Sequence, residues 1–175
     1  MKAMVTVAVV TLLCSATFAI ARDPLKPTEV AQMRDTAQEP ERRLPLMVKF
    51  AKARLLAIDQ LRGDPKFAEG RGQQVHDLLD EFRAIVDELD DNMDMYSRQK
   101  EDLRKPLKVM IEADTEWQLK LRSLKEATDE KSRQERKDYD FVLDTAIESV
   151  NANADGAREL LEEQNKAAAE QKRKK

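Results

Sequence analysis

Apolar residues recur three and four positions apart along most of the chain, which is the spacing of one face of an α-helix. The clearest stretch is 75–96, where Leu79, Val86 and Met93 widen the apolar stripe. A stripe of this width favours packing in a globular bundle over a two-stranded coiled coil. The positions that follow the heptad pattern are Val75, Leu78, Phe82, Ile85, Leu89, Asn92 and Tyr96.

Two helices are predicted before this stretch. Thr28 can cap a short helix that ends before Pro40, so 22–40 is expected to be an extended segment followed by a short helix. A longer helix follows over about 41–62 and ends at Gly63. Its charged residues outside the apolar stripe are predicted to cover the surface: Arg42, Arg43, Lys49, Lys52 and Arg54.

Two further helices are predicted after it. Asp102 can cap a helix over about 103–124, with Pro106 in the first turn, where a backbone donor is least needed. The sequence 132–135, Ser-Arg-Gln-Glu, has the form of a capping box and predicts the start of the last helix. Gly156 weakens that helix by about 1 kcal/mol relative to alanine. The end of the chain, 166–175, is predicted to be a charged, solvated and frayed tail.

Together these elements predict an all-α fold, an antiparallel bundle of three to four long helices over 41–165 with a short N-terminal helix. Short connections near 99 and 129 favour antiparallel neighbours with coiled-coil-like packing. Whether the short N-terminal helix docks on the bundle is left open by its few apolar residues.

In two antiparallel helices, residues that are equally far along the chain from the connection lie at the same level of the bundle, which predicts which residues share a layer of the core. Trp117 is expected to lie level with Phe82 and Phe141, forming an aromatic layer. Asn92 and Asn153 are expected to pair, since each is a polar residue at an apolar position and each can satisfy the other. Such a buried pair usually fixes the register of a bundle.

The first twenty-one residues have the order of a secretory signal peptide: Lys2, an apolar run, and an A-x-A site at 19–21. We therefore expect cleavage after Ala21 and a periplasmic or secreted mature protein, without membrane insertion after cleavage. Two alternatives remain: lipidation of Cys14, although Leu13 is a large residue for a lipobox, and an uncleaved anchor over 4–20.

Composition narrows the functional classes. From residue 22 onward the chain has 154 residues and 30 basic against 34 acidic side chains, a net charge of −4. This balance gives no general attraction to nucleic acid. The predicted mature chain has no cysteine, so it cannot use disulfides and must gain its stability from helix packing.

Residues that commonly build catalytic and cofactor sites are scarce. His76 is the single histidine, and the residue three before it is Gln73, so zinc, haem and ferritin-like di-iron sites are disfavoured. No serine stands in a G-x-S-x-G elbow, and 70–72 lacks the rest of a phosphate-binding loop. We predict no catalytic residue and no cofactor, and expect a protein that is not an enzyme.

The acidic stretch 87–101 is the strongest candidate for metal binding. Met95 stands where a calcium loop needs glycine, and the apolar stripe continues to Tyr96, which favours helix here. The candidate metal ligands, at positions one, three, five and twelve of the calcium-loop pattern, are Asp90, Asn92, Asp94 and Glu101.

The expected function is an exported helical protein that acts through its surface, as a scaffold, an adaptor or a chaperone-like binder of envelope clients. The alternative is a helical module that binds divalent cations through the acidic stretch. A binder is expected to expose an apolar groove, for which the part of the last helix after Gly156 is a candidate. The oligomeric state and the identity of the protein partner are left open by the sequence.

Overall fold

A computed structural model describes residues 23–127 and 130–174, and the predicted signal peptide with its cleavage site lies outside these ranges. The described residues are all-α, as the apolar pattern predicted, and include no β-strand. None of their helices combines the length and the hydrophobicity that a membrane span needs. The helices are α1 (Pro27–Asp35), α2 (Pro40–Gly63), α3 (Arg71–Arg98), α4 (Arg104–Glu126), α5 (Glu130–Arg136) and α6 (Asp140–Arg173), with a 3-10 helix over Pro65–Phe67.

The core lies between the four long helices α2, α3, α4 and α6. Both α2 and α6 pack against α3 and α4. Phe82 on α3 meets Trp117 on α4 edge to face, with ring centroids 5.3 Å apart, which confirms that these two aromatic residues share a layer. Large side chains with no more than 1% exposure at the centre are Leu44, Met47, Leu79, Phe82, Ile85, Leu89, Leu107, Met110, Trp117, Leu121 and Leu143.

Two glycines lie where helices approach closely. A Cβ at Gly156 would stand 3.3 Å from Met93 Cε, so this glycine allows α6 to pack closely on α3. The helix continues through Gly156 without interruption to Arg173. At Gly72 a Cβ would stand 2.9 Å from the carbonyl oxygen of Glu135, which places the start of α3 directly against α5.

The last helix begins later than predicted. The capping-box sequence at Ser132 lies inside the short helix α5, and α6 starts only at Asp140. Residues 130–139 form α5 and a turn, so the connection between α4 and α6 is longer than predicted. The register of α6 against α4 is shifted as a result. Phe141 is 83% exposed and does not join the aromatic layer, so that prediction was wrong. It lies two residues from the buried Tyr139 and Leu143 and therefore on another face of the helix.

The same shift in register separates the two asparagines that were predicted to pair. Asn92 accepts a hydrogen bond from Arg43 Nε at 2.7 Å and donates one to the carbonyl oxygen of Glu88 at 2.7 Å. Asn153 instead donates to Asp114 on α4. Both residues are buried, as predicted, but each has a different partner.

The N-terminal helix starts one residue before its predicted cap. Pro27 is the first residue of α1, and Glu29 accepts a hydrogen bond from the Lys26 backbone N–H at 2.8 Å. Thr28 therefore lies inside the helix rather than at its cap. Proline fits this first position because its missing N–H has no intrahelical partner there.

Candidate functional site

The most unusual polar group of the core is the carboxyl group of Asp114. It lies on α4 and is 0% exposed. Asn153 on α6 donates hydrogen bonds from Nδ2 to both carboxyl oxygens, at 2.9 and 3.1 Å. A buried carboxylate normally has a cationic partner, and here the direct partner is a neutral amide.

The surroundings of Asp114 favour its neutral form. The pKa of Asp114 is raised to about 7, mainly because the group is buried, and the nearby acid Asp90 on α3 contributes to the increase. The hydrogen bond from Asn153 and the charge of Arg158 lower it, but they do not outweigh the burial. The group therefore changes its charge near neutral pH, far above the usual range of an aspartic acid.

Two buried polar atoms, one in this pair and one close to it along the chain, have no hydrogen-bond partner among the described residues. They are Asn153 Oδ1 and Trp117 Nε1, the latter one helical turn after Asp114. Buried polar atoms without partners are rare because each loses its hydration without compensation. When the carboxyl group of Asp114 is ionised, it has no proton to donate, and the amide oxygen of Asn153 therefore lacks a hydrogen-bond donor.

The apolar pattern contained a signal for this residue that the sequence analysis missed. Asp114 stands four residues after Met110 and three before Trp117, which are both core positions. An aspartate at that spacing belongs to the buried face of the helix. Its pairing with Asn153 was hidden because it depends on the register of α6.

A second buried charge, Arg54 on α2, holds the N-terminal segment, by which we mean residues 23–39 with helix α1. Its guanidinium donates to the two carboxylate oxygens of Glu29, both at 2.6 Å, and to Glu81 on α3 at 3.0 Å. It also donates to the carbonyl oxygen of Pro24 at 2.6 Å. Arg54 is 2% exposed, so its prediction as a surface residue was wrong. Burial alone would raise the pKa of Glu29, but the hydrogen bond and charge of Arg54 lower it overall.

Further contacts dock the N-terminal segment on the bundle, which answers a question the sequence left open. Arg43 Nη1 donates to the carbonyl oxygen of Met33 at 2.7 Å. The Tyr96 hydroxyl donates to the carbonyl oxygen of Ala37 at 2.8 Å. Met33 itself is 4% exposed and belongs to the core.

The candidate calcium ligands do not lie in a loop. Asp90, Asn92 and Asp94 lie within α3, and Asn92 already bonds Arg43. Glu101 lies beyond the end of α3, where its N–H donates to the carbonyl oxygen of Tyr96. Within 23–127 and 130–174, no group of three or more His, Cys, Asp or Glu residues is arranged to hold a metal ion.

His76 lies at the boundary of the core, as its position beside Val75 predicted. It is half-buried in the first turns of α3, and its Nδ1 lies 3.3 Å from Asp77 Oδ1. Among the described residues, it belongs to no group of three or more potential metal ligands.

A groove lies between α4 and the part of α6 that follows Gly156. Its volume is about 450 Å³. The apolar residues that line it are Ile111, Leu161 and Ala169. Its remaining lining residues are polar or charged, namely Arg158, Glu162, Asn165 and Lys166.

Hydrogen bonds of Gln164 hold the far end of α6 beside this groove. Gln164 accepts a hydrogen bond from the Leu103 N–H at 2.9 Å and donates to the carbonyl oxygen of Glu101 at 3.0 Å. The helix continues to Arg173, and every residue of 169–174 is exposed. Fraying of this tail stays a prediction.

Comparison of the chain with protein-family models, curated proteins and solved structures gave no match.

Proposed function

We propose that the mature protein is an exported helical protein that acts by binding a protein partner, as a scaffold, adaptor or chaperone-like protein, and not by catalysis. The observation that carries this proposal is the groove between α4 and α6. It has an apolar floor and a charged rim, and it lies after Gly156 on the last helix. Exposed apolar surface rimmed by polar groups is typical of protein-binding sites.

The finer architecture belongs to the same proposal: the long helices form an antiparallel bundle in which α2 faces α3 and α4 faces α6. The support is the order of the contacts. As residue numbers rise on one helix, they fall on its neighbour. The pairs are Arg43–Asn92 and Arg54–Glu81 for α2 and α3, and Lys125–Asp144, Gln118–Asn151 and Asp114–Asn153 for α4 and α6.

The chemistry of the groove favours an amphipathic helix as the occupant. A channel between two helices accepts the apolar side of a third helix, whose polar sides then meet the rim. Here Leu161 and Ile111 offer the apolar floor, while Arg158 and Lys166 on one helix offer positive charge beside Glu162. Lys166 and Glu162 form an exposed ion pair, 2.7 Å apart. On binding, charged residues of a partner would replace the contacts that Lys166 and Glu162 make with each other.

Export is supported by the signal-peptide pattern and agrees with the docked N-terminal segment. Pro24, whose carbonyl oxygen bonds Arg54, lies shortly after the predicted cleavage site at Ala21. Cleavage there would leave every described contact of the N-terminal segment intact. The mature protein would then reach its partner in the periplasm or outside the cell.

The proposal is tested by photo-crosslinking in the native envelope. A photoreactive residue replaces Asn165 at the groove or, as the control, Ala152, which is exposed on the same helix outside the groove. We expect crosslinks to protein from position 165 and not from position 152. One partner in near-equal amounts would indicate an adaptor, and a broad set of clients enriched by heat stress would indicate a chaperone-like binder.

A matched pair of variants shows whether the groove itself is responsible. Ala169→Trp fills the groove with a large side chain and is expected to abolish the crosslink from position 165. Ala152→Trp adds the same side chain elsewhere on α6 and should leave the crosslink unchanged. Equal crosslinking with Ala169→Trp, or equal yields from positions 165 and 152, would contradict the proposal.

A further inference from the structure

We propose that Asp114 and Asn153 form a pH-sensitive contact that fastens α6 to α4 when Asp114 is protonated and weakens this packing when Asp114 is ionised. The proposal does not depend on the protein-binding function. It is carried by the geometry of the pair and by the unpartnered atom next to it.

The ionised form leaves two buried groups poorly satisfied. Both hydrogen bonds to the Asp114 carboxylate come from the same atom, Asn153 Nδ2. The other polar atom of that amide, Oδ1, is buried and has no hydrogen-bond partner in the part of the chain that the structure describes. A buried negative charge and a buried orphan acceptor both oppose the folded state.

Protonation repairs both defects at once. A neutral carboxylic acid has one O–H donor and one carbonyl acceptor, and a primary amide has the complementary pair. After a small rotation of the Asn153 amide, the acid O–H can donate to Oδ1 while Nδ2 donates to the acid carbonyl. The proton comes from solvent and returns to it, and no covalent bond other than O–H is made or broken.

The charged groups around the pair do not replace the missing cation. Arg158 on α6 is exposed and lies 3.2 Å from Asp155, so its charge is shared with another acid. Asp90 on α3 adds negative charge to the site. On α2, the charged residues that face α4 near this level, Lys52 and Asp59, form ion pairs with partners of α4 other than Asp114.

The position of the pair explains why ionisation of Asp114 would loosen the end of α6. Asn153 lies one turn before Gly156 and Ala157, where α6 packs closely against α3 and Ala157 is fully buried. Directly after Ala157, the exposed Arg158 begins the section of α6 that lines the groove. Weaker packing at Asn153 therefore affects the part of α6 with the fewest other buried residues.

Urea unfolding between pH 4 and pH 9 tests the proposal on the mature protein and on Asp114→Asn. In the wild type we expect the folding equilibrium constant to fall by up to about tenfold per pH unit between pH 4 and pH 7, and this loss should be absent in Asp114→Asn. Asp91→Asn, an exposed aspartate on α3, is the matched control and should follow the wild type. Identical pH dependence in the wild type and Asp114→Asn would overturn the proposal.

Nuclear magnetic resonance of the Asp114 side-chain carbonyl carbon keeps the test valid if the variant does not fold. In the wild type we expect this signal to titrate with a midpoint near 7. The amide protons of 153–161 should also exchange faster, after correction for intrinsic rates, above the midpoint than below it. A midpoint near 4, or unchanged corrected exchange in 153–161, would overturn the proposal.

Discussion

Arg54 and Asp114 are both charged residues buried among helices, and their surroundings differ completely. Arg54 meets two carboxylates and a carbonyl oxygen, so its guanidinium is neutralised and hydrogen-bonded. Within the described residues, the hydrogen bonds to the Asp114 carboxyl group come from the neutral amide of Asn153 alone. Burial by itself therefore does not decide the charge state of a group, because the partners that replace water do so.

The two sites also join different parts of the molecule. The Arg54 site fastens the N-terminal segment to α2 and α3 through opposite charges. The Asp114 site fastens α6 to α4 through a group whose charge is unfavourable there. We therefore expect the first contact to be permanent at physiological pH and the second to depend on pH.

The largest expected effect comes from removing the cation. Arg54→Met leaves Glu29 and Glu81 without their partner and should cost about 3–5 kcal/mol of the free energy of unfolding. Urea unfolding at pH 7 measures this loss, and limited proteolysis should show faster cleavage within the N-terminal segment. A loss under about 1 kcal/mol would mean that the buried pairing contributes little.

A smaller, pH-dependent effect distinguishes the two sites in one profile. The folded pKa of Asp114 is raised, so its protonated form stabilises the protein at low pH, and up to about 4 kcal/mol is lost between pH 4 and pH 7. The folded pKa of Glu29 is lowered, so its contribution is present above its unfolded value of 4.5 and is lost as the pH falls further. We expect maximal stability at mildly acidic pH, measured by thermal unfolding. A profile that rises steadily up to pH 8 would contradict this.

The smallest effect is expected at an exposed ion pair on the same helix as Arg54. Lys52 lies 2.8 Å from Glu116, but the two side chains are 58% and 42% exposed. Lys52→Met should change the free energy of unfolding by less than about 1 kcal/mol, because water screens this pair. It is the matched control for Arg54→Met in the same unfolding experiment. If Lys52→Met lost as much stability as Arg54→Met, buried and exposed ion pairs would contribute equally, which would contradict this prediction.

The sequence predicted the helical class and most helices because their apolar stripes are regular. The stripe over 75–96 corresponds to α3, and the contact of Phe82 with Trp117 followed from simple layering. The capping-box sequence at Ser132 lies inside α5 and not at the start of the last helix, and α5 displaced the register of α6. Phe141 was placed in the aromatic layer by its level alone, although it lies on the exposed face of α6.

The candidate site was harder to predict than the fold because it depends on partners from distant parts of the chain. Arg54 stands three residues after Ala51 and four before Ile58, so its spacing is that of a core residue. A charge at such a position is interpreted as exposed unless its partners are known, and Glu29 belongs to a segment whose docking the pattern left open. Asp114 had the same ambiguity, since the register of α6 decided that Asn153 would be its partner.

The most direct test of the difference between the two buried charges is the proton uptake on refolding at pH 5.5, measured by calorimetry in buffers of different ionisation enthalpy. At this pH the folded Asp114 should be protonated and the unfolded one ionised. The wild type should take up about one more proton per molecule than Asp114→Asn. Equal proton uptake by the two proteins would show that Asp114 is ionised in the folded core, which would contradict the distinction drawn between Asp114 and Arg54.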